Sequence, residues 1–224
     1  MKKLFIPAYL KKDPLPAVEK SLKLLAGFER VGLVTTSQHI SQLSAVADFL
    51  QQKGKKPFIG GQILGCNRNN AKNIEKDVDC FLYIGSGKFH ITRLAVGTNK
   101  PVFVANPYSD SAEKITEEEK KKYSKKRRGR ILKAAEGNVF GIIVSTKTGQ
   151  FKMKKALELK KKIESLGKKA FIFAGAEITP PNLLPFKVDA WINTACPRIA
   201  EDEFSKPVIN PDELELLEEL MKNA

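Results

Sequence analysis

Two cysteines, Cys66 and Cys196, stand where their thiols could do chemistry. Cys66 ends a glycine-rich segment over residues 60–66 and Cys196 lies within residues 191–198, and each follows a predicted strand. In parallel α/β sheets, ligands collect at the carboxyl ends of the strands, where loops and helix N-termini meet. We therefore expect both thiols at ligand-binding edges, where they could face one site. Neighbouring glycines and proline favour exposed loops, but the residues alone leave burial and metal ligation both open.

The third cysteine, Cys80, has a different setting. It stands near the start of a predicted strand over residues 78–84, about five residues or roughly 16 Å from the carboxyl end. We therefore predict that Cys80 is a buried small hydrophobe. An odd number of cysteines gives no disulfide framework, which leaves core packing or metal ligation as their roles.

Composition limits the class of protein. The 224 residues are 42% hydrophobic and 29% charged, with a formal net charge of +14. Residues 120–133 contain nine Lys or Arg and no acid, so this stretch could attract nucleic acid, although a solvated helix explains it equally well. No apolar run reaches the roughly 20 residues of a membrane span. Pro7 interrupts the start too early for a signal peptide, and we predict a cytoplasmic protein.

The order of predicted elements indicates an α/β fold. Strands predicted over residues 4–8, 30–36, 56–59, 78–84 and 101–105 are separated by helical stretches, which favours right-handed βαβ units and a parallel sheet. The second half repeats the first, since residues 141–146, 167–175 and 188–195 match residues 32–36, 54–61 and 78–85. We predict two homologous three-layer domains, over residues 1–110 and 138–224, joined by a basic helical linker over residues 111–137. A capping-box pattern at 116–119 starts the linker helix, and a closing helix is predicted to start at residues 210–213.

Several polar residues could serve as binding groups. His90, in a Gly-Ser-Gly-Lys-Phe-His turn, could bind a carboxylate or cap a helix, and the structural role is favoured. Gln150 follows a strand near a helix start, where its amide and nearby N–H groups could hold a carboxylate. His39 is predicted to cap or pack. No Ser/His/Asp set or pair of carboxylates at useful spacing is found, and the glycine turn lacks the full phosphate-loop pattern.

Four motifs resemble, in their order, those of the diphthamide synthase family. They are GQILGCN at 61–67, GSGKFH at 85–90, TKTGQ at 146–150 and NTACPR at 193–198, and the segments at 34–39 and 127–130 are also similar. The resemblance covers nearly the whole chain and is closest to the archaeal branch. It implies a 4Fe–4S cluster held by three cysteines from three homologous domains, with one iron open to S-adenosylmethionine. Reductive cleavage would give a 3-amino-3-carboxypropyl radical that adds to a histidine of translation elongation factor 2.

The resemblance also assigns residues of this chain. Cys66 matches the cluster ligand of the second family domain and Cys196 that of the third. Gln62, His90 and Gln150 form the expected cofactor-binding set, and the catalytic residues remain unassigned. The first family domain, with its own cysteine, has no counterpart here, and Cys80 cannot replace it because of its position in its strand.

The missing third thiolate separates the functional hypotheses. The leading one is a component of a split synthase, acting on elongation factor 2 with a partner chain that supplies the missing domain. The alternative is a non-catalytic basic binding or assembly protein that kept the fold and lost the cluster. A third is the similar three-domain architecture of quinolinate synthase, which the motifs fit less well. Self-association is compatible with the sequence, direct nucleic-acid binding is not favoured, and no membrane partner is expected.

Overall fold

The computed structural model describes residues 4, 6 and 8–222, apart from the side chain of residue 222. The chain divides into two compact units, residues 1–123 and 124–224, a division that falls between the predicted boundaries at 110 and 137. Of the predicted strand over residues 4–8, Phe5 and Pro7 lie outside the described residues. Leu4, Ile6 and Ala8 are exposed and belong to no strand, so that prediction is wrong where it can be compared.

The first unit is built on a five-stranded sheet. Its strand order is β2-β1-β3-β4-β5, with the first four parallel and β5 antiparallel to β4. The strands are β1 (Arg30–Thr35), β2 (Lys56–Gln62), β3 (Cys80–Ile84), β4 (Val102–Asn106) and β5 (Ser111–Lys114). All five residues of β3 are buried, as the continuous apolar run of a central parallel strand predicts.

Helices cover both faces of this sheet. They are α1 (Leu15–Ser21), α2 (Leu43–Gln52), α3 (Asn69–Ile74) and α4 (Lys88–Val96). One core cluster joins α1 and α2 to alternate strand residues such as Leu33 and Leu82. The other joins α3 and α4 to residues such as Val34 and Phe81. Because successive strand residues point to opposite faces, the two clusters establish three layers.

The second unit has a smaller parallel sheet, with strand order β7-β6-β8-β9. The strands are β6 (Val139–Ser145), β7 (Lys169–Gly175), β8 (Ala190–Asn193) and β9 (Val208–Ile209). The helices of this part of the chain are α5 (Glu117–Ala135), within which the two units meet in sequence, α6 (Met153–Ser165), α7 (Pro180–Leu183) and α8 (Leu214–Lys222). Ile131 and Ala134 of α5 pack with α6 and α8 on one face of this sheet, and Trp191 and Leu183 pack on the other.

The predicted repeat is present in three dimensions, because the order β2-β1-β3-β4 corresponds to β7-β6-β8-β9. A contact between β1 and β3 recurs between β6 and β8. A Cβ added to Gly32 would lie 2.8 Å from the Phe81 ring, and one added to Gly141 would lie 2.2 Å from the Trp191 ring. Both glycines therefore allow an aromatic ring to cross the neighbouring strand. The two units are homologous α/β domains, as the sequence predicts.

Some element boundaries differ from the predictions. Helix α1 ends at Ser21 and continues as turns to Gly27, and a 3₁₀ segment precedes α2. Strand β5 lies within the predicted linker, and neither β5, α4, α7 nor β9 was predicted. The capping box of the linker helix is present, since Thr116 N–H donates to Glu119 Oε2 (3.0 Å) and Glu119 N–H to Thr116 Oγ1 (3.1 Å). No helix in the described ranges is long and apolar enough to cross a bilayer.

Candidate functional site

Cys66 lies at the tip of a tight turn beyond the carboxyl end of β2. Leu64 and Asn67 exchange backbone hydrogen bonds of 2.8 and 3.0 Å, which closes a four-residue turn around Gly65 and Cys66. The N–H of Ile63 donates to the carbonyl of Thr35 (2.7 Å) and ties the start of this segment to β1. The Cys66 thiol is exposed, at the sheet edge where the sequence predicts it.

His90 holds this turn through a side-chain contact. It is the third residue of α4, and its Nδ1 accepts the backbone N–H of Gly65 at 2.8 Å. Burial lowers the pKa of His90, which favours the neutral ring that can accept this bond. The structure thus gives His90 a structural role that differs from the expected helix cap, because the ring holds the Cys66 turn and Nε2 is the ring nitrogen not used in this bond. Cofactor binding by His90 stays a prediction.

The turn fits only because residue 65 has no side chain. A Cβ on Gly65 would lie 2.3 Å from a ring carbon of Phe89. The Phe89 ring in turn meets the His90 ring edge to face, with centroids 5.3 Å apart. The start of α4 therefore covers the Cys66 turn with one aromatic ring and fixes its backbone with another.

Gln62 lies beside the same turn. It ends β2, and its side chain lines a pocket of about 170 Å³ together with Leu64, Asn67 and Asn70. Asn70 Nδ2 donates to the Gln62 carbonyl at 2.7 Å. The structure therefore brings Gln62, Cys66 and His90 together at the carboxyl edge of the first sheet.

In the second unit, Cys196 follows β8 and is half-buried. Its carbonyl accepts a hydrogen bond from Asn193 Nδ2 at 2.8 Å and another from the N–H of Ile199 at 3.0 Å. Asn193 is 1% exposed, and its Oδ1 accepts the N–H of Ala195 at 3.0 Å. The backbone on both sides of Cys196 is thus fixed by one buried amide.

Gln150 lies at the same carboxyl edge of the second sheet as Cys196, but in the turn that follows β6. Its N–H donates to the Lys147 carbonyl at 3.0 Å, which closes a turn between β6 and α6. The helix begins at Met153, three residues later than the predicted helix start. Because β6 and β8 are parallel neighbours, this turn and Cys196 share the carboxyl edge of their sheet.

Two residues set aside by sequence are confirmed in those roles. Cys80 is 0% exposed, and burial raises the pKa of its thiol to about 12, so it is core. His39 is 1% exposed, bonds Gln42 Oε1 through Nδ1 (2.8 Å), and packs edge to face with Tyr108 at 5.9 Å.

Sequence reasoning missed a group of ion pairs that lies behind the Cys196 loop. The carboxylate of Glu213 lies between the guanidinium groups of Arg127 and Arg130, and the Glu213 side chain also accepts the backbone N–H of Asn210 at 2.7 Å. The sequence predicts the helix start at residues 210–213 but not these ion pairs, whose partners are more than 80 residues apart in the chain.

The donors suit an iron–sulfur cluster only in part. Each unit offers one thiol at a carboxyl edge, with the surrounding loop held by side chains of the same unit. No group of three or more His, Cys, Asp or Glu within residues 4, 6 and 8–222 could hold a metal ion. Thiolates are the usual ligands of such clusters, so each unit offers one candidate ligand, Cys66 in the first and Cys196 in the second.

Comparisons with known proteins show the family to which the chain belongs. The diphthamide synthesis protein family matches residues 1–223. The 2-(3-amino-3-carboxypropyl)histidine synthase of Pyrococcus horikoshii is 33% identical over 96% of the chain, and that of Methanocaldococcus jannaschii is 32% identical over 100%. The chain spans 65% and 63% of the lengths of these two relatives.

A solved structure gives the same result. The crystal structure of Dph2 from Pyrococcus horikoshii with a 4Fe–4S cluster has a TM-score of 0.87 and 32% identity, over 96% of this chain and 65% of that chain. The family match over nearly every residue, the identities to both synthases and this likeness in fold agree with one another. The chain belongs to the diphthamide synthesis family.

Proposed function

We propose that this chain is a component of a synthase that transfers a 3-amino-3-carboxypropyl group from S-adenosylmethionine to a histidine of translation elongation factor 2. The observation that carries the proposal is that each sheet has one accessible cysteine in a loop at its carboxyl edge. Cys66 and Cys196 stand in loops at carboxyl edges, whereas Cys80 is core. The names of the relatives and the cluster in the Dph2 structure support the same chemistry.

In this proposal the protein supplies ligands and position. Cys66 and Cys196 give two thiolates to a 4Fe–4S cluster, and Gln62, His90 and Gln150 hold polar groups of S-adenosylmethionine. When bound, the cluster supplies an electron and an open iron for reductive cleavage of the sulfonium. The chain's own residues orient the substrates.

A partner chain completes the ligand set. An iron kept open for substrate leaves three irons that each need a protein ligand, and this chain offers two accessible thiolates. The third would come from a chain with one loop cysteine on a similar α/β domain. An elongation factor as substrate implies a cytoplasmic location.

A second function is favoured by the same count of thiolates. A chain with two accessible cysteines and a basic helix, α5, could be a binding or assembly protein that kept the fold without the cluster. In that case Cys66 and Cys196 would be dispensable for its interactions.

Anaerobic iron–sulfur reconstitution separates the two functions. The chain is purified alone and with any co-purifying partner, and iron content, absorbance and electron paramagnetic resonance are measured. We expect a cluster that requires Cys66 and Cys196, is lost in their serine variants, and is retained in the matched control Cys80→Ala. Mass spectrometry of elongation factor 2 incubated with the reduced complex and S-adenosylmethionine should then show the added group. Absence of a cluster with and without the partner would leave the binding protein as the function.

A further inference from the structure

A pair of buried asparagines lies directly behind the Cys196 loop. We propose that Asn193 and Asn210 are positioning residues, which fix the direction in which the Cys196 thiolate points toward the iron that it would bind. This inference rests on the proposed function, because it gives a role to residues around one of the proposed cluster ligands. The two side chains are 1% and 0% exposed and have no direct access to a substrate.

Asn193 uses both ends of its amide. Its Nδ2 donates to the Cys196 carbonyl (2.8 Å) and to Asn210 Oδ1 (2.9 Å), while its Oδ1 accepts the N–H of Ala195 (3.0 Å). Aspartate has the same shape but, when ionised, no donor. The Cys196 carbonyl also accepts the Ile199 N–H, so both of its lone pairs are engaged and the thiol is the part of Cys196 left free for a ligand.

Asn210 connects this amide to the C-terminal segment. Its Nδ2 lies 3.4 Å from the carbonyl of Pro197, the residue after Cys196. Its backbone N–H donates to Glu213 Oε2 at 2.7 Å, and its side chain accepts the Glu213 N–H in a capping box. The two asparagines therefore hold residues 195–197 from one side, and Asn210 is itself held by Glu213.

Helix α5 anchors the far end of the network. Glu213, 2% exposed, accepts Arg127 Nε at 2.6 Å and lies 3.6 Å from an Arg130 nitrogen. Arg130 also donates to the carbonyl of Ala200, within the 3₁₀ turn Pro197–Glu201 that follows the cysteine. These two arginines of the basic helix are thus engaged inside the unit, where they hold the Cys196 loop.

Such support matters for a lone ligand. Where several cysteines of one short loop bind the same cluster, each iron–sulfur bond also helps to hold the neighbouring cysteines in place. A cluster with one cysteine per domain lacks that help, so the direction of each sulfur depends on the loop around it. Hydrogen bonds around the ligand loop also tune the electronic properties of a cluster.

The test compares Asn210→Ala and the milder Glu213→Gln with the control Asn182→Ala, which removes an exposed amide of the same unit. In the cluster-free chain we expect amide hydrogen exchange of residues 194–199 to rise at least tenfold in Asn210→Ala and less in Glu213→Gln. With the complex reconstituted, we expect Asn210→Ala to shift the reduction midpoint and the paramagnetic resonance spectrum of the cluster. Asn182→Ala should change neither.

The outcomes distinguish this inference from the proposed function. If Cys196→Ser retains the parental cluster, Cys196 is no ligand, and both the proposed function and the positioning role fail. If Cys196 is required but both network variants leave the exchange, midpoint and spectrum at parental values, the positioning role alone is overturned. Faster exchange with an unchanged midpoint and spectrum would also overturn it, because the network would then be merely structural. Glu213→Gln keeps the test decisive if Asn210→Ala does not fold.

Discussion

The imidazole of His90 accepts the backbone N–H of Gly65 at 2.8 Å, one residue before the proposed ligand Cys66. Asn193 does the equivalent work in the other unit, where its amide bonds the carbonyl of Cys196. In both units a ring or amide from outside the loop fixes the backbone beside a cysteine and leaves its sulfur free. The two cysteine loops, which follow non-equivalent strands, are therefore supported by different residues to the same effect.

The contact with His90 predicts a pH dependence. Burial lowers the pKa of His90 in the folded chain, so below its ordinary pKa of about 6.5 the unfolded state binds more protons. The free energy of unfolding should therefore be highest above that pH and decrease as pH falls through the lowered pKa. Protonation of Nδ1 would also set a donor against the Gly65 N–H. Asparagine offers an acceptor that does not titrate, so His90→Asn should flatten this slope in thermal unfolding between about pH 7.5 and 5.5, which is about one unit on either side of the ordinary pKa.

The chain has one other histidine, His39, which provides the control. Replacing it in His39→Asn should lower overall stability because it is buried, but the part of the slope due to His90 should persist. Identical slopes for the parent and His90→Asn would show that the Gly65 contact does not titrate.

Gly65→Ala tests the fit of the Cys66 turn beneath Phe89. The new Cβ would lie 2.3 Å from the ring, so either the ring or the turn must move. We expect the free energy of unfolding to fall by roughly 1–3 kcal/mol, as for other overpacked sites, with partial recovery in Gly65→Ala/Phe89→Leu. Gly27→Ala, where nothing lies within 4 Å of the new atom, should change it by less than about 0.5 kcal/mol. Equal effects in the two single variants, measured by urea unfolding, would argue against the close packing.

Thiol labelling should sort the three cysteines by their surroundings. Thiolates react with iodoacetamide, and burial raises the Cys80 pKa to about 12. In the folded, cluster-free chain we expect Cys66 to be modified fastest, Cys196 more slowly and Cys80 only after unfolding, as measured by peptide mass spectrometry. Cys80→Ala should cost about 1 kcal/mol of stability for the lost buried atom. Rapid modification of Cys80 at neutral pH in the native chain would contradict its burial.

Helix α5 carries a glycine that could be replaced with a gain in stability. Gly129 lies in mid-helix, and a Cβ there meets nothing within 4 Å. Gly129→Ala should raise the free energy of unfolding by about 0.5–1 kcal/mol, because alanine loses less backbone entropy in a helix. Gly87→Ala is the matched comparison, since its Cβ is equally unobstructed but φ is +80°, and it should destabilise. A loss of stability in Gly129→Ala would indicate that this position needs a glycine for another reason.

The sequence predicts the repeated α/β fold because predicted strands alternate with helical stretches, and because segments of the second half match segments of the first. It also separates Cys80 from Cys66 and Cys196, because distance along a strand translates directly into distance from the sheet edge. The short elements were missed for a physical reason. Strand β5 is Ser-Ala-Glu-Lys, whose residues have little strand preference, and it pairs only because β4 offers an open edge.

The supports around the cysteines could not be predicted from local pattern. Gly65 and His90 are 25 residues apart, and Arg127 and Glu213 are 86 apart. Neither pair leaves a periodic pattern in the sequence, because the two residues of each pair come together only when the sheet has formed. The run of arginines in α5 read as a charged surface, whereas folding turns Arg127 and Arg130 inward to a single buried carboxylate.

The glycine beneath each ring, Gly32 with Phe81 and Gly141 with Trp191, constrains the order in which mutations can accumulate. A side chain at either glycine would collide with the aromatic ring, so the aromatic residue must first be replaced by a smaller one. The reverse order passes through a clashing intermediate. An added Cβ would lie closer to the Trp191 ring than to the Phe81 ring. The order of substitutions is therefore more strictly required in the second unit. In both units, the size of the ring can thus change far more freely than the glycine that it covers.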